Sequence, residues 1–179
     1  MFYTSEYESP VGSITLASDE QNLVGLWLAG QKYYADTLKN ADVQSTELPV
    51  HVAAKKWLDD YFLGKNPPLR RIPLAPRGSE FRRNVWDLLC QIPYGEFTTY
   101  GALGKKMAAL MGRQSMAGQA IGGAVGRNPV SIIIPCHRVI GAGGSLTGFA
   151  GGIDKKVKLL ELEGVDVSVM TVPVKGTAL

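Results

Sequence analysis

The chain has 179 residues, 45% of them hydrophobic and 20% charged, a balance that suits one large globular domain or two small ones. No apolar run approaches the roughly 18 residues of a membrane span, and Met1–Glu6 lacks the basic and apolar segments of a secretion signal, so a cytoplasmic protein with no membrane partner is expected. The net charge of +3 is uneven: residues 1–78 hold eight Lys/Arg against nine Asp/Glu, whereas residues 79–179 hold eleven against seven. That basic second half is compatible with a polyanionic partner.

In chain order, Ser13–Ala17 and Leu23–Leu28 are short β-rich runs separated by the polar residues Asp19, Glu20, Gln21 and Asn22, a hairpin signature. Tyr3–Tyr7 is a candidate for a further strand. A helix is expected from His51 to Leu63, with Ala53, Ala54, Trp57, Leu58, Tyr61 and Phe62 as its apolar stripe. Pro67–Pro68 and the stretch to Gly78 read as a linker. Ser79 then caps a helix running to about Gln91, closed by Pro93 and Gly95. Thr98 or Thr99 caps a second helix through Leu110, which Gly112 interrupts. A third, Ser115–Val125, is rich in small residues: Ala117, Gly118, Ala120, Gly122, Gly123 and Ala124. Two short helices joined by a tight turn fit helix-turn-helix geometry, with helix packing inside the domain as the competing reason for the small residues. A last helix spans Lys155–Glu163, and the tail Asp166–Leu179 is expected to be peripheral. The fold class is α+β: an N-terminal domain over residues 1–78, with a small sheet and one helix, and a helical domain over residues 79–179.

There are two cysteines, Cys90 and Cys136, and two histidines, His51 and His137, with no C-x-x-C or H-x-x-x-H spacing. Neither a metal site nor a cofactor is expected. Cys90 falls in the helical pattern Phe81, Val85, Leu88, Leu89, Ile92 and reads as an inert packing thiol. Cys136 differs. It lies in Pro135-Cys136-His137-Arg138-Val139, after Ile132-Ile133-Ile134 and before Gly141-Ala142-Gly143-Gly144. The pattern is that of a buried strand ending in a loop that holds a thiol next to an imidazole. A thiol attacks as its thiolate, which His137, Arg138 and a nearby helix N-terminus would favour. On extended backbone, adjacent side chains point opposite ways, so the dipeptide alone leaves a buried structural cysteine as the default reading.

With Asn128-Pro129 upstream and Thr147-Gly148-Phe149-Ala150-Gly151-Gly152 downstream, the segment Gly122–Gly152 resembles the active-site region of the O6-alkylguanine-DNA alkyltransferases, or methylated-DNA–protein-cysteine methyltransferases. The similarity runs from about Ser79 to Gly164. It implies DNA repair in which Cys136 accepts an alkyl group irreversibly, one turnover per protein, from O6-alkylguanine or O4-alkylthymine in double-stranded DNA. His137 would be the base and Glu163 its orienting partner, although Glu161 is the alternative by spacing alone. Asn128 would brace the active-site loop, and Tyr100 would bond the base and assist its protonation. Ser131, Val139, Phe149, Ala150 and Gly151 would border the substrate pocket. A helix with small residues at Ala117, Ala120, Gly122 and Gly123 would enter the minor groove, with Arg113, Gln114, Ser115, Gln119, Arg127 and Arg138 as further DNA contacts. The target base would be flipped out of the stack. The protein is expected to act as a monomer.

Two positions depart from the family pattern. Gln119 stands where an arginine commonly fills the gap left by the flipped base, and Phe149 replaces a frequent tyrosine. A lesion-recognising protein that removes no alkyl group is the main rival reading. A cysteine hydrolase is disfavoured by the adjacent Cys-His geometry. A sequence-specific transcription factor is disfavoured by a recognition helix that offers little beyond Gln114 and Gln119 for base readout.

Overall fold

Apolar residues between Phe2 and Leu28 build three antiparallel strands in the computed structural model, which describes residues 1–173. β1 (Phe2–Ser9) pairs with β2 (Gly12–Ser18), Tyr7 opposite Ile14, and β2 pairs with β3 (Leu23–Leu28), Leu16 opposite Leu26. Asp19 sets the reversal between β2 and β3 by accepting the backbone N–H groups of Gln21 and Asn22 at 2.8 and 2.6 Å. A fourth strand, β4 (Val43–Ser45), is invisible to a hydrophobicity reading because all three of its residues are exposed. It pairs in parallel with β1, giving the order β3-β2-β1-β4.

Helix α1 (Pro49–Phe62) begins with Pro49 at the first helical position, where a missing N–H costs nothing. It buries Ala54, Trp57, Leu58 and Tyr61 on one stripe. The stretch expected to be a linker is partly structural. Leu23 N–H donates to Pro73 O (2.8 Å) and Ala75 N–H to Leu23 O (2.9 Å), so this segment runs along β3. Residues 129–133 use the same strand: Leu26 N–H donates to Pro129 O and Ser131 N–H to Leu26 O. An uncovered β3 edge would leave unpaired backbone groups, which is the physical reason for both additions. The first unit is accordingly Met1–Gly78 with Pro129–Ile133, and the second is the remainder of the described chain.

The second unit is helical. α2 (Glu80–Leu89) is capped by Ser79, whose Oγ accepts Arg82 N–H, and α3 (Tyr100–Leu110) by Thr99, which accepts Ala102 N–H. α4 (Gly118–Gly126) is pinned to α2 by Trp86 Nε1–H donating to Ala124 O at 2.9 Å. Residues 111–117 connect α3 to α4, a longer link than the tight turn expected, and Ser115 lies in it rather than on the helix. β5 (Thr98–Thr99) and β6 (Val139–Ile140) pair in parallel, and α5 (Ile153–Leu162) closes the unit.

One further expectation is corrected. Ile132–Ile134 is not a strand but a turn, and Ile132 has φ 70°, a conformation no strand residue adopts. The tail lies at the surface over the described residues, none of 166–173 being buried, but it is tied down. Leu146 N–H donates to Thr171 O and Thr171 N–H to Gly144 O, while Met170 and Val167 pack on a cluster of Ile140, Leu146, Leu160 and Val165. Apolar side chains there cover the loop after β6. Residues 174–179 of the expected tail lie outside the described residues. Among the described residues, no helix is long and apolar enough to cross a membrane.

Gly25 is the tightest point of the sheet, since a Cβ there would lie 2.0 Å from the ring of the buried Trp27. Gly25→Ala should lower stability by about 1–3 kcal/mol, the range for overpacking a filled core, read as a reduced denaturation midpoint.

Candidate active site

Pro135 has φ −82° and ψ 65°, an inverse γ-turn geometry, and Cys136 N–H donates to Ile134 O at 2.8 Å. A single 3₁₀ turn, Cys136–Arg138, follows, with all three residues buried. The thiol and the imidazole therefore sit on a helical turn rather than on extended backbone. Asn128 Nδ2–H donates to Ile134 O at 2.7 Å and fixes the start of this turn from two residues beyond α4.

His137, Arg138 and Glu163 form one buried array. Glu163 Oε1 lies 2.6 Å from His137 Nε2, while Arg138 donates through Nε to Oε2 (2.8 Å) and through Nη2 to Oε1 (3.0 Å). Nη1 of the same guanidinium donates to Ile92 O at 2.7 Å. Of the two glutamates that spacing allows, Glu163 is the one inside, its side chain wholly covered, while Glu161 is exposed. Burial alone would raise the Glu163 carboxyl, but the hydrogen bonds from His137 and Arg138 bring it down to about 2. Glu163 is therefore ionised at neutral pH and can only accept. The bridging proton belongs to His137 Nε2, which leaves Nδ1 as the basic nitrogen of the ring. Complete burial pushes the His137 pKa below its ordinary value and outweighs the opposing pull of Glu163. The ring is neutral, oriented and able to take a proton.

The sequence reading places Arg138 on DNA. The structure buries it, 8% exposed, against Glu163 and beneath Tyr94, whose ring centroid is 5.7 Å from the guanidinium carbon. An uncompensated carboxylate beside the imidazole would be costly in this interior, and Arg138 balances it.

Tyr100 opens α3, and its hydroxyl donates to Gly148 O (3.0 Å) and towards Thr147 O (3.3 Å). Gly148 has φ 79°, and a Cβ there would lie 2.4 Å from that hydroxyl, so the contact requires glycine. Burial, with a contribution from the Cys136 charge, pushes the Tyr100 phenol well above its usual range, keeping it protonated. Phe149 meets His137 edge-on with ring centroids 6.4 Å apart. Val139 is fully buried in β6, and Ala150 and Gly151 are half-buried before α5. Ser131 lies in the segment that joins the first unit, where its hydroxyl donates to Gln31 Oε1 at 3.0 Å. Cys90 is half-buried, and burial and Asp87 push its thiol up to about 11, in keeping with an inert role.

Lys156 escapes the sequence reading. It is fully buried on α5 and donates to Val139 O (2.5 Å) and Thr147 O (2.8 Å). The available signal is positional: Lys156 falls three residues after Ile153 and four before Leu160, on the helix's apolar face.

Arg113, Gln114, Ser115, Ala117, Gln119, Ala120 and Gly123 are exposed at α4 and the link before it, and Gly122 and Arg127 are half-buried. A Cβ built at Gly118, Gly122, Gly123 or Gly126 meets nothing within 4 Å. Packing within the protein therefore does not require these glycines. Among the described residues, no group of three or more His, Cys, Asp or Glu is placed to hold a metal ion.

Fold and site together define an α+β protein organised around one buried cysteine and an imidazole–carboxylate pair. Residues 1–76 match the ribonuclease-like domain of 6-O-methylguanine DNA methyltransferase, and residues 80–165 match its DNA-binding domain. A methylated-DNA–protein-cysteine methyltransferase of Methanosarcina acetivorans is 42% identical over 163 residues, covering 90% of this chain and 98% of its own. The crystal structure of Mycobacterium tuberculosis O6-methylguanine methyltransferase superposes with a TM-score of 0.75 at 38% identity, covering 91% of this chain and 93% of the other. That of Mycobacterium tuberculosis OGT in complex with DNA gives 0.75 at 35% identity, covering 94% and 97%. The chain belongs to the 6-O-methylguanine DNA methyltransferase family.

Replacing Glu163 with Gln leaves Arg138 buried without its carboxylate and should cost roughly 3–5 kcal/mol, measured by chemical denaturation at pH 7. The Glu163 carboxyl falls from its ordinary 4.5 to about 2 on folding. Its contribution is therefore fully present above pH 4.5 and lost as pH drops from there through about 2. Wild-type stability should decline over that window, and Glu163→Gln should lose that part of the decline.

Proposed function

We propose that this protein repairs DNA by direct reversal, moving the alkyl group of O6-alkylguanine, and by the same chemistry of O4-alkylthymine, onto Cys136. The observation that carries this reading is the neutral, Glu163-anchored imidazole of His137 directly following a buried cysteine, in a chain of this family.

The carbon to be removed is an sp³ methyl on an aryl-ether-like oxygen. Its displacement needs a thiolate in line with the C–O bond and a leaving oxygen whose charge is quenched. His137 Nδ1 takes the thiol proton, directly or across one water. The sulfur attacks the methyl carbon, the C–O bond breaks, and the purine leaves as the guanine anion, which takes up one proton. The balance is thiol plus O6-methylguanine giving thioether plus guanine. A dialkyl sulfide is a poor electrophile, so the step does not reverse and each molecule acts once.

The target atom is stacked within duplex DNA, so the nucleotide must be rotated out by roughly 180° about its backbone. Val139, Phe149, Ala150 and Gly151 are the residues we assign to the base pocket, and Tyr100 delivers a proton or hydrogen bond to the departing purine. The open space over Gly118, Gly122 and Gly123 supports close approach of α4 to a groove, and Arg113 supplies charge to the backbone. Gln119 is exposed at the N-terminal end of α4. It would fill the vacated stack without the cation its relatives commonly place there.

Intact mass after mixing with one equivalent of duplex carrying O6-methylguanine should rise by one methyl group per protein, mapped to Cys136, with no gain in Cys136→Ala. His137→Ala should slow the transfer by a factor of about 10²–10⁴, the usual worth of a positioned base. Lesion-selective binding without mass gain would make this a damage-recognition protein instead.

A further inference from the structure

The loop before Phe149 is held from two sides. Residues 141–148 carry four glycines, so fixing this segment costs much chain entropy. On the inner side, Thr147 O accepts Lys156 Nζ at 2.8 Å and the Tyr100 hydroxyl at 3.3 Å, and Gly148 O accepts the same hydroxyl at 3.0 Å. On the outer side, the chain beyond residue 165, where the match to the DNA-binding domain ends, returns as a strap. Leu146 N–H donates to Thr171 O at 2.8 Å, and Thr171 N–H donates to Gly144 O at 3.0 Å. Val167 and Met170 pack on the buried cluster of Ile140, Leu146, Leu160 and Val165. Leu146 belongs to both holds. Its side chain lies in the cluster, its N–H is on the strap, and the next carbonyl is the one that Tyr100 and Lys156 reach.

We infer that the strap 166–171 is a specificity-determining element: it fixes the loop 141–149 as a rigid wall and so limits the bulk of the group that Cys136 can accept. The inference rests on Cys136 being the alkyl acceptor. The wall reaches the reaction centre through Phe149, which is buried and meets His137 edge-on. A methyl group fits without moving that ring. A benzyl group brings a second ring to the same place, and the wall must yield to admit it. The loop can yield outward only by breaking its hydrogen bonds with Thr171 and lifting Leu146 from the cluster. The strap itself has no buried residue, so its release exposes little apolar surface beyond these contacts. A surface segment thus sets the size limit of a buried site.

The test compares Thr171→Pro, which removes the N–H that Gly144 O accepts, with Thr171→Ala, which keeps it; the Thr171 side chain is exposed, so neither change disturbs the core. Each full-length protein is offered duplex DNA carrying O6-methylguanine or O6-benzylguanine, and the adduct on Cys136 is timed by intact mass. Thr171→Pro should raise the benzyl-to-methyl rate ratio about fivefold, the scale of one net backbone hydrogen bond, and Thr171→Ala should match wild type. Amide hydrogen exchange should show Leu146 losing protection in Thr171→Pro alone. A merely structural weakening would slow both lesions alike and leave the ratio where it was. An unchanged ratio, or Leu146 protection retained in Thr171→Pro, would overturn the inference. A DNA-free pair separates it from the repair reading. Iodoacetamide and its bulkier N-phenyl analogue should show the same rise in the bulky-to-small ratio at Cys136, and an unchanged ratio there would equally overturn it. Wild-type protein that takes neither alkyl group from DNA sinks the repair reading, and the reagent pair then decides the strap by itself.

Discussion

The site is organised by one carboxylate. Glu163 is covered from solvent, ionised, and shared between an imidazole and a guanidinium, each hydrogen-bonded to it at 3.0 Å or less. Removing either donor would leave buried charge or a free ring. The imidazole would then lose the constraint that fixes which nitrogen carries its proton. Arg138 also donates to Ile92 O, so the same guanidinium ties the end of α2 to the turn that bears Cys136. The acid–base chemistry and the packing of the second unit share this group, so a change to it is felt in both.

Around that array, the protein fixes backbone by side-chain donors at each end of the active turn. Asn128 holds Ile134 O before it, Lys156 holds Val139 O after it, and Tyr100 and Lys156 meet at Thr147 O on the facing loop. These are long-range contacts made by polar side chains in an apolar interior, where an unmade hydrogen bond is expensive. In the proposed reaction the nucleophile works once and needs no product release. Its thiolate would have to be placed accurately when a flipped base arrives, and a ring of such contacts would supply that accuracy.

Much of this was legible in the sequence, for identifiable reasons. β2, β3, α1 and the caps Ser79 and Thr99 follow local rules, and the structure has them within a few residues of their expected limits. The contact of His137 with Glu163 is legible only through the motif and the resemblance together, since spacing alone leaves Glu161 as the alternative. What failed was non-local. Three isoleucines look like a strand, but the chain needs a turn there, with Ile132 in a left-handed conformation. The polar strand β4, the pairing of Pro73 and Ala75 with β3, and the return of Thr171 to Leu146 all depend on partners far along the chain. Arg138 and Lys156 were misjudged or missed for a common reason: a basic residue reads as surface until its buried partner is known.

The most direct test of the account is the protonation state of His137, read by ¹⁵N NMR of the imidazole in the unalkylated protein between pH 5.5 and 8. The ring should be neutral at pH 7, with the proton on Nε2 and Nδ1 unprotonated. An imidazolium at pH 7, or the Nδ1–H tautomer, would contradict it, because neither form could take the thiol proton through the nitrogen that Glu163 leaves available.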